Sequence, residues 1–193
     1  MSRRHTDAAV LDAARECVTD VGVRRTTVAD IARRAGASRM TVYRLFPDAS
    51  TLWSTLLTTE FTVLVREAEA ASAALPTARE RLVATTVALV ERVGADPLVR
   101  RVLQLDPDLL LPYVTERLGQ SQRLALEHLR RYLVDGQRDG SIRALDANTV
   151  SYLLQLVVGA VMMATQITER ECEPAAVSGE LRHLLDAYLK PAA

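Results

Sequence analysis

The sequence predicts an all-α chain of nine helices in two domains, residues 1–50 and 51–193. Three observations carry the prediction. Apolar residues make up 49% of the chain, and the abundant Ala, Leu, Arg and Glu are good helix formers. Apolar positions recur at i, i+3, i+4 and i+7 in segment after segment, and Gly or Pro closes each one. No stretch alternates apolar and polar residues as a half-buried strand does.

The elements follow in order. Residues 1–6 form a basic, polar arm; Arg3 and Arg4 read either as a solvated tail or as an arm reaching a phosphate or minor groove. Over residues 7–21, Leu11, Ala14, Val18 and Val21 recur at helical spacing until Gly22. Residues 26–46, TTVADIARRAGASRMTVYRLF, hold two short helices. Val28, Ile31, Ala32 and Ala35 share one face of the first, and Thr27 with Asp30 forms a capping-box-like start. Gly36 stops this helix because only Gly enters the left-handed conformation without steric cost. Ser38 caps the second helix, with Val42, Leu45 and Phe46 on its inner face. Helix, Gly-centred turn, helix is the geometry of a DNA-reading helix-turn-helix.

Pro47 ends that motif, and Ser50 or Asp48 caps a long helix reaching about residue 75. Further helices are expected over 77–94, 97–105, a long segment 109–136 closed by Gly140, 147–168 and 174–189. The helix around 152–164 is apolar on nearly every side, whereas a surface helix would be polar on one. Its Leu153, Leu154, Val157 and Val161, with Leu181, Leu184, Leu185 and Tyr188 of the last helix, are expected to form a symmetric homodimer interface.

Charge and composition narrow the function. The chain carries 24 basic and 24 acidic residues, yet residues 1–50 hold nine arginines against six acids, an excess of +3. A basic end facing a polyanion fits this asymmetry. Arginine outnumbers lysine 23 to one, which reads as codon bias rather than chemistry. Cys17 and Cys172 match no metal-ligand spacing, and Cys17 reads as a buried, inert thiol. No metal, cofactor or catalytic residue is expected: there is no GxSxG elbow, HExxH or phosphate loop, and Glu180 with His183 is a lone ExxH on a solvated face. The longest apolar run, 152–164, is too short to span a bilayer, and the N-terminus lacks the apolar core of a signal peptide. A soluble, cytoplasmic protein without membrane contact is expected.

The run TTVADIARRAGASRMTVYRLFPDASTL resembles the N-terminal motif of TetR-family transcriptional regulators. Thr27, Ile31-Ala32, Ala35-Gly36, Ser38, Thr41, Tyr43 and Phe46-Pro47 fall in register with it; residues beyond about 52 match only in helix order and in details such as DGSIRALD. The resemblance implies an all-helical homodimer with two helix-turn-helix heads. Its C-terminal bundle would dimerise and bind a small-molecule effector that releases the protein, by family default a repressor, from a palindromic double-stranded DNA operator. Thr27 and Tyr43 look like the family's phosphate-contacting threonine and tyrosine, although Thr27 also serves as the cap. Ser38, Arg39, Met40 and Thr41 open the recognition helix; Arg39 suits a guanine O6/N7 pair, and Thr41 or Met40 a thymine methyl. Arg44 suits either base or phosphate. Leu45 stands where the family often has histidine, and Ala49 where it usually has lysine, so two donors are missing; Arg24, Arg25 and the arm are the candidates to replace them. A rival reading keeps the fold but loses DNA binding. For the effector, the expected lining is Trp53, Leu57, Phe61, Leu105, Tyr113, Tyr132 and Met163, with His128 and then Arg101 as polar anchors, which favours a largely hydrophobic ligand.

Overall fold

The computed structural model describes residues 3–110 and 118–192, with side chains from residue 7 onward. Among them are α1 (Arg3–Val21), α2 (Val28–Arg34), α3 (Arg39–Leu45), α4 (Ala49–Ser72), α5 (Ala78–Ala95), α6 (Pro97–Leu105), a 3-10 turn (Pro107–Leu109), α7 (Gln120–Arg138), α8 (Ala147–Met163), α9 (Thr165–Glu171) and α10 (Pro174–Leu189). The described residues are all-helical, as expected, with ten α-helices in place of nine. The extra helix arises because the expected helix 147–168 breaks at Ala164 and bends by 62°. There the Thr165 hydroxyl donates to the Met162 carbonyl at 2.8 Å, and such competition for a backbone acceptor bends helices. Two other boundaries move. Backbone helix already starts at Arg3, where an arm was expected, and Pro107–Leu109 is a separate turn, so α7 starts at Gln120 rather than 109.

Side-chain oxygens start most helices. Asp48 accepts the Thr51 N–H at 2.7 Å, which settles the choice between Asp48 and Ser50 as cap of α4. Thr77 and Glu80 cap α5 reciprocally: Glu80 N–H donates to the Thr77 hydroxyl (3.2 Å), and Thr77 N–H donates to the Glu80 carboxylate (3.0 Å). Asp96 caps α6 and Asp146 caps α8 in the same way. These bonds favour the ionised carboxylate. The Thr51 N–H lowers the Asp48 pKa, the Thr77 hydroxyl lowers that of Glu80, and Thr149 lowers that of Asp146.

The chain divides into two compact units, Met1–Glu60 with Asp96–Gly119, and Phe61–Ala95 with Gln120–Ala193. The first unit extends beyond the expected boundary at residue 50, taking in the start of α4 and all of α6. Leu98 and Val102 of α6 are buried with Val10, Val18, Ile31, Val42, Phe46, Leu52 and Leu56 in one core. Polar ties support that packing. Arg15 donates to Glu60 and to the α6 cap Asp96, at 3.0 and 3.1 Å. Asp106, buried just past α6, accepts the Val23 N–H at 2.7 Å. In the second unit Leu82, Val83, Val87, Leu133, Ile142, Val150, Leu154, Leu181 and Leu185 form the core of α5, α7, α8 and α10. Among the described residues no single helix is long and apolar enough to cross a membrane.

Candidate nucleic-acid interface

α2 and α3 are seven residues each, too short to persist alone, so local bonds and burial must hold them. Ile31 and Ala32 bury the inner face of α2, and Val42 buries that of α3. Gly36, at φ +61°, ends α2: its N–H donates to Arg33 O (3.3 Å) and the Ala37 N–H donates to Ala32 O (2.9 Å). This double closure turns the chain tightly enough for Ser38 to cap α3 two residues on. α3 stops at Phe46, which is buried and extended (φ −130°, ψ 96°) as a residue before proline prefers.

The inner face of α3 fixes what the outer face presents. Val42 and Phe46 point into the core and Leu45 packs partly against it. Arg39, Met40, Tyr43 and Arg44 occupy a contiguous arc of roughly 140° on the other side and all four are exposed, Met40 at 75% and Tyr43 at 48%. None of the four makes a side-chain hydrogen bond or ion pair among the described residues.

Three other expected contact residues are already engaged. Ser38 Oγ accepts the Thr41 N–H at 3.1 Å and shares a 2.9 Å hydrogen bond with Thr41 Oγ1. Thr27 Oγ1 accepts the Asp30 N–H at 3.2 Å and donates its own proton to the Asp30 carboxylate at 2.5 Å. That hydroxyl is the main reason the Asp30 pKa is lowered, and Arg33, 2.7 Å from the same carboxylate, adds to it. In this state the Thr27 proton is not free for a phosphate.

The arginines sort the same way. Arg34 pairs with Asp20 (2.8 Å) and Glu16 (3.7 Å). Arg24, a candidate replacement for the missing donors, pairs with Asp108 and lies 3.4 Å from the buried Asp106. It secures the loop after α1 rather than presenting a charge. Arg25, Arg39 and Arg44 have no such partner among the described residues, so they are the cations this surface offers. Leu45 and Ala49 offer none.

The expected effector residues are shared between the two units. Trp53 and Leu57 pack against the first unit's core. Arg101, expected as an anchor, instead donates to the Thr19 and Asp20 carbonyls at 2.7 and 3.1 Å, satisfying the end of α1. Leu105 is exposed beside Gly22. Tyr113 lies outside the described residues. In the second unit Phe61 is half-buried and Met163 exposed, while His128 and Tyr132 meet on a residue that sequence reasoning missed. Glu69 Oε1 takes His128 Nδ1 at 2.9 Å, Arg131 Nη2 at 2.6 Å and the Tyr132 hydroxyl at 3.3 Å. Arg131 Nη2 also lies 3.2 Å from His128 Nδ1, so His128, Arg131 and Glu69 form one hydrogen-bonded group. Only the fold brings Glu69 near α7, 59 residues on.

The expected dimer residues also divide. Leu154, Leu181 and Leu185 belong to the core of their own subunit, at 2%, 6% and 1% exposure. Their side chains are taken up within the subunit, unlike the others expected there. Val157 and Val161 are half-buried; Leu153, Leu184 and Tyr188 are exposed, as are Tyr152 and Leu156 on α8.

Residues 10–51 match the family described as bacterial regulatory proteins, tetR family. An uncharacterised HTH-type transcriptional regulator of Mycobacterium bovis is 37% identical over 187 residues, covering 97% of this chain and 96% of the relative. Among solved structures, a protein described as a TetR-family transcriptional regulator from Rhodococcus sp. superposes with a TM-score of 0.77 at 19% identity, over 97% of this chain and all (100%) of the other. FadR of Bacillus subtilis, solved with stearoyl-CoA, gives 0.70 at 18% identity over 94% and 98% of the two chains. With its helix-turn-helix, its all-α fold and a relative of this identity over nearly its whole length, the chain belongs to the TetR family of transcriptional regulators and is not an enzyme.

Proposed function

We propose that the chain is a cytoplasmic, homodimeric repressor that holds a palindromic DNA operator and is released by a small, largely hydrophobic effector. The observation that carries this is the outer arc of α3. Two unpaired arginines, a tyrosine and a methionine stand exposed on a helix whose opposite face is buried. Such a helix fits a major groove, with Arg39 suited to guanine and Tyr43 to phosphate. Arg25 and Arg44 take the place of the absent histidine and lysine as phosphate contacts, which supports DNA binding over the reading in which it is lost. Thr27 joins them by exchanging Asp30 for a phosphate oxygen.

Pairing of two subunits through Tyr152, Leu153, Leu156, Leu184 and Tyr188 gives those side chains a dry partner and sets two heads for a two-fold symmetric site. For the effector, His128 is the polar anchor, held in place by Glu69 and flanked by Arg131 and Tyr132. Phe61 and Met163 supply apolar surface from the same unit. The structural likeness to FadR, which was solved with stearoyl-CoA, is in keeping with an apolar ligand.

The test is to recover sheared genomic DNA with the purified protein and sequence it. The expected result is one enriched palindrome near the protein's own gene. Recovery without sequence preference contradicts the proposal.

A further inference from the structure

We infer that Met40 reads a thymine methyl group, that Arg39 reads a guanine beside it, and that the Ser38 and Thr41 hydroxyls read no base. The inference rests on the operator-binding reading above and adds the base chemistry which that reading leaves open.

Four residues, Ser38 to Thr41, stand where a recognition helix meets base edges, and the structure separates them into two pairs. The hydroxyls of Ser38 and Thr41 bond each other at 2.9 Å, and Ser38 also holds the Thr41 N–H. Turning Ser38 toward a base would cost the cap bond, and turning Thr41 would cost the bond between the two hydroxyls. Arg39 and Met40 have nothing to give up. Met40 is 75% exposed, more than any other large apolar side chain described, and takes no part in the core that Val42 and Phe46 join. An apolar side chain in that position stabilises nothing in the free chain. Its neighbours on the arc, Tyr43 and Arg44, are phosphate-seeking groups, and docking them on the backbone carries Met40 toward the floor of the groove.

The thymine C5-methyl is the apolar group that a base pair displays in the major groove, and guanine offers the O6 and N7 acceptors that match an arginine fork. Methionine is unbranched and flexible enough to lie against a methyl group without demanding one geometry. Consecutive residues rise only about 1.5 Å along a helix, so Arg39 and Met40 reach neighbouring base pairs. Each half-site should therefore hold a guanine next to a thymine.

The experiment uses the full-length protein and the duplex it enriches from a random-sequence pool. Each thymine is replaced singly by deoxyuridine, which lacks only the methyl group, and each guanine by 7-deazaguanine, which lacks N7. Native protein should bind about fourfold more weakly when uracil replaces one particular thymine in a half-site. Met40→Ala should bind the parent duplex more weakly by a similar factor, ignore uracil at that position and still respond to 7-deazaguanine. Arg39→Ala should show the converse. Met40→Ala should melt with the native protein because its side chain is exposed, whereas Ser38→Ala should melt earlier yet enrich the same sequence. Indifference of native protein to every uracil, or an undiminished uracil response in Met40→Ala, overturns the assignment of Met40. A changed sequence preference in Ser38→Ala overturns the assignment of the hydroxyls. Failure to enrich any duplex removes the operator reading and this inference with it; enrichment with uracil indifference removes the inference alone.

Discussion

Among the described residues two surfaces stand largely exposed, and they differ in kind. The outer arc of α3 carries two arginines, a tyrosine and a methionine, while that of α8 and α10 carries Tyr152, Leu153, Leu156, Leu184 and Tyr188, whose ring has the Arg143 guanidinium 4.5 Å from its centroid. Exposure alone makes them equivalent; chemistry separates them. Unpaired guanidinium groups are well solvated and gain from meeting an anion that displaces counterions. Exposed apolar side chains gain from any partner that removes them from water, and a second copy of the chain is the partner always present. Exposed residues thus identify a partner only after those tied up inside the chain are subtracted. That subtraction leaves Arg25, Arg39 and Arg44 and removes Arg24, Arg33 and Arg34.

The largest expected effect comes from charging the apolar surface. Leu156→Asp combined with Leu184→Asp should give a monomer at micromolar concentration in sedimentation, because each carboxylate would have to be buried or left without its partner. Operator affinity should fall by about 100-fold or more as the second head is lost. A native protein that already sediments as a monomer contradicts the dimer.

Next in size is the α3 arc. Tyr43→Ala should weaken binding to every duplex by about tenfold, since phosphate contacts position without reading sequence. Arg39→Ala should weaken the enriched site by about tenfold and leave random DNA nearly unaffected, because a bidentate guanine contact discriminates between bases. Equal losses on both duplexes would place Arg39 on the backbone instead.

Two glycines, one in each unit, compare a buried helix contact with an exposed turn. An added Cβ at Gly136 would run into the Ile142 side chain, whereas one at Gly36 meets nothing within 4 Å and suffers only from φ +61°. Gly136→Ala should cost about 1–3 kcal/mol by overpacking, and Gly36→Ala about 1 kcal/mol. Denaturant titration checks the order; a costlier Gly36→Ala would mean that the turn after α2 carries contacts beyond its backbone geometry.

The smallest effect is a gradual dependence on acid. Asp48, Glu80 and Asp146 have lowered pKa values because helix-start donors bind their ionised forms, and so has Asp139, through Ser141 and the Ala78 N–H. A lowered folded-state pKa gives stability that is present above the ordinary value and lost as pH falls through the folded one. Melting temperature should therefore hold from neutrality and decline only as pH passes below the ordinary 4.5 of Glu and 3.8 of Asp. A decline already complete above those values would point to other groups.

Sequence and structure agree where the determinants are local. The Thr27 and Ser38 caps, the Gly36 stop and the pre-proline end of α3 each involve residues within five positions, so periodicity and turn chemistry recover them. What the sequence hides is long-range. Arg24 and Arg25 are neighbours of one type, yet Arg24 pairs with Asp108, 84 residues away, and Arg25 does not. Arg101 reads as a ligand anchor until its partners prove to be the carbonyls at the end of α1. Leu153 and Leu154 are adjacent in a helix apolar all round, and only packing reveals that Leu154 faces its own core and Leu153 solvent. The break at Ala164 escapes because Thr165 becomes a helix breaker only through the carbonyl it captures.

The central claim is that the unpaired cations beside and on α3 hold duplex DNA. Its most direct test is the dependence of operator affinity on salt, measured for the native protein and for Arg25→Ala with Arg44→Ala. Native affinity should fall steeply as salt rises, and the log–log slope should shrink by about one for each arginine removed. A native affinity indifferent to salt, or a slope unchanged in the double variant, would contradict the account.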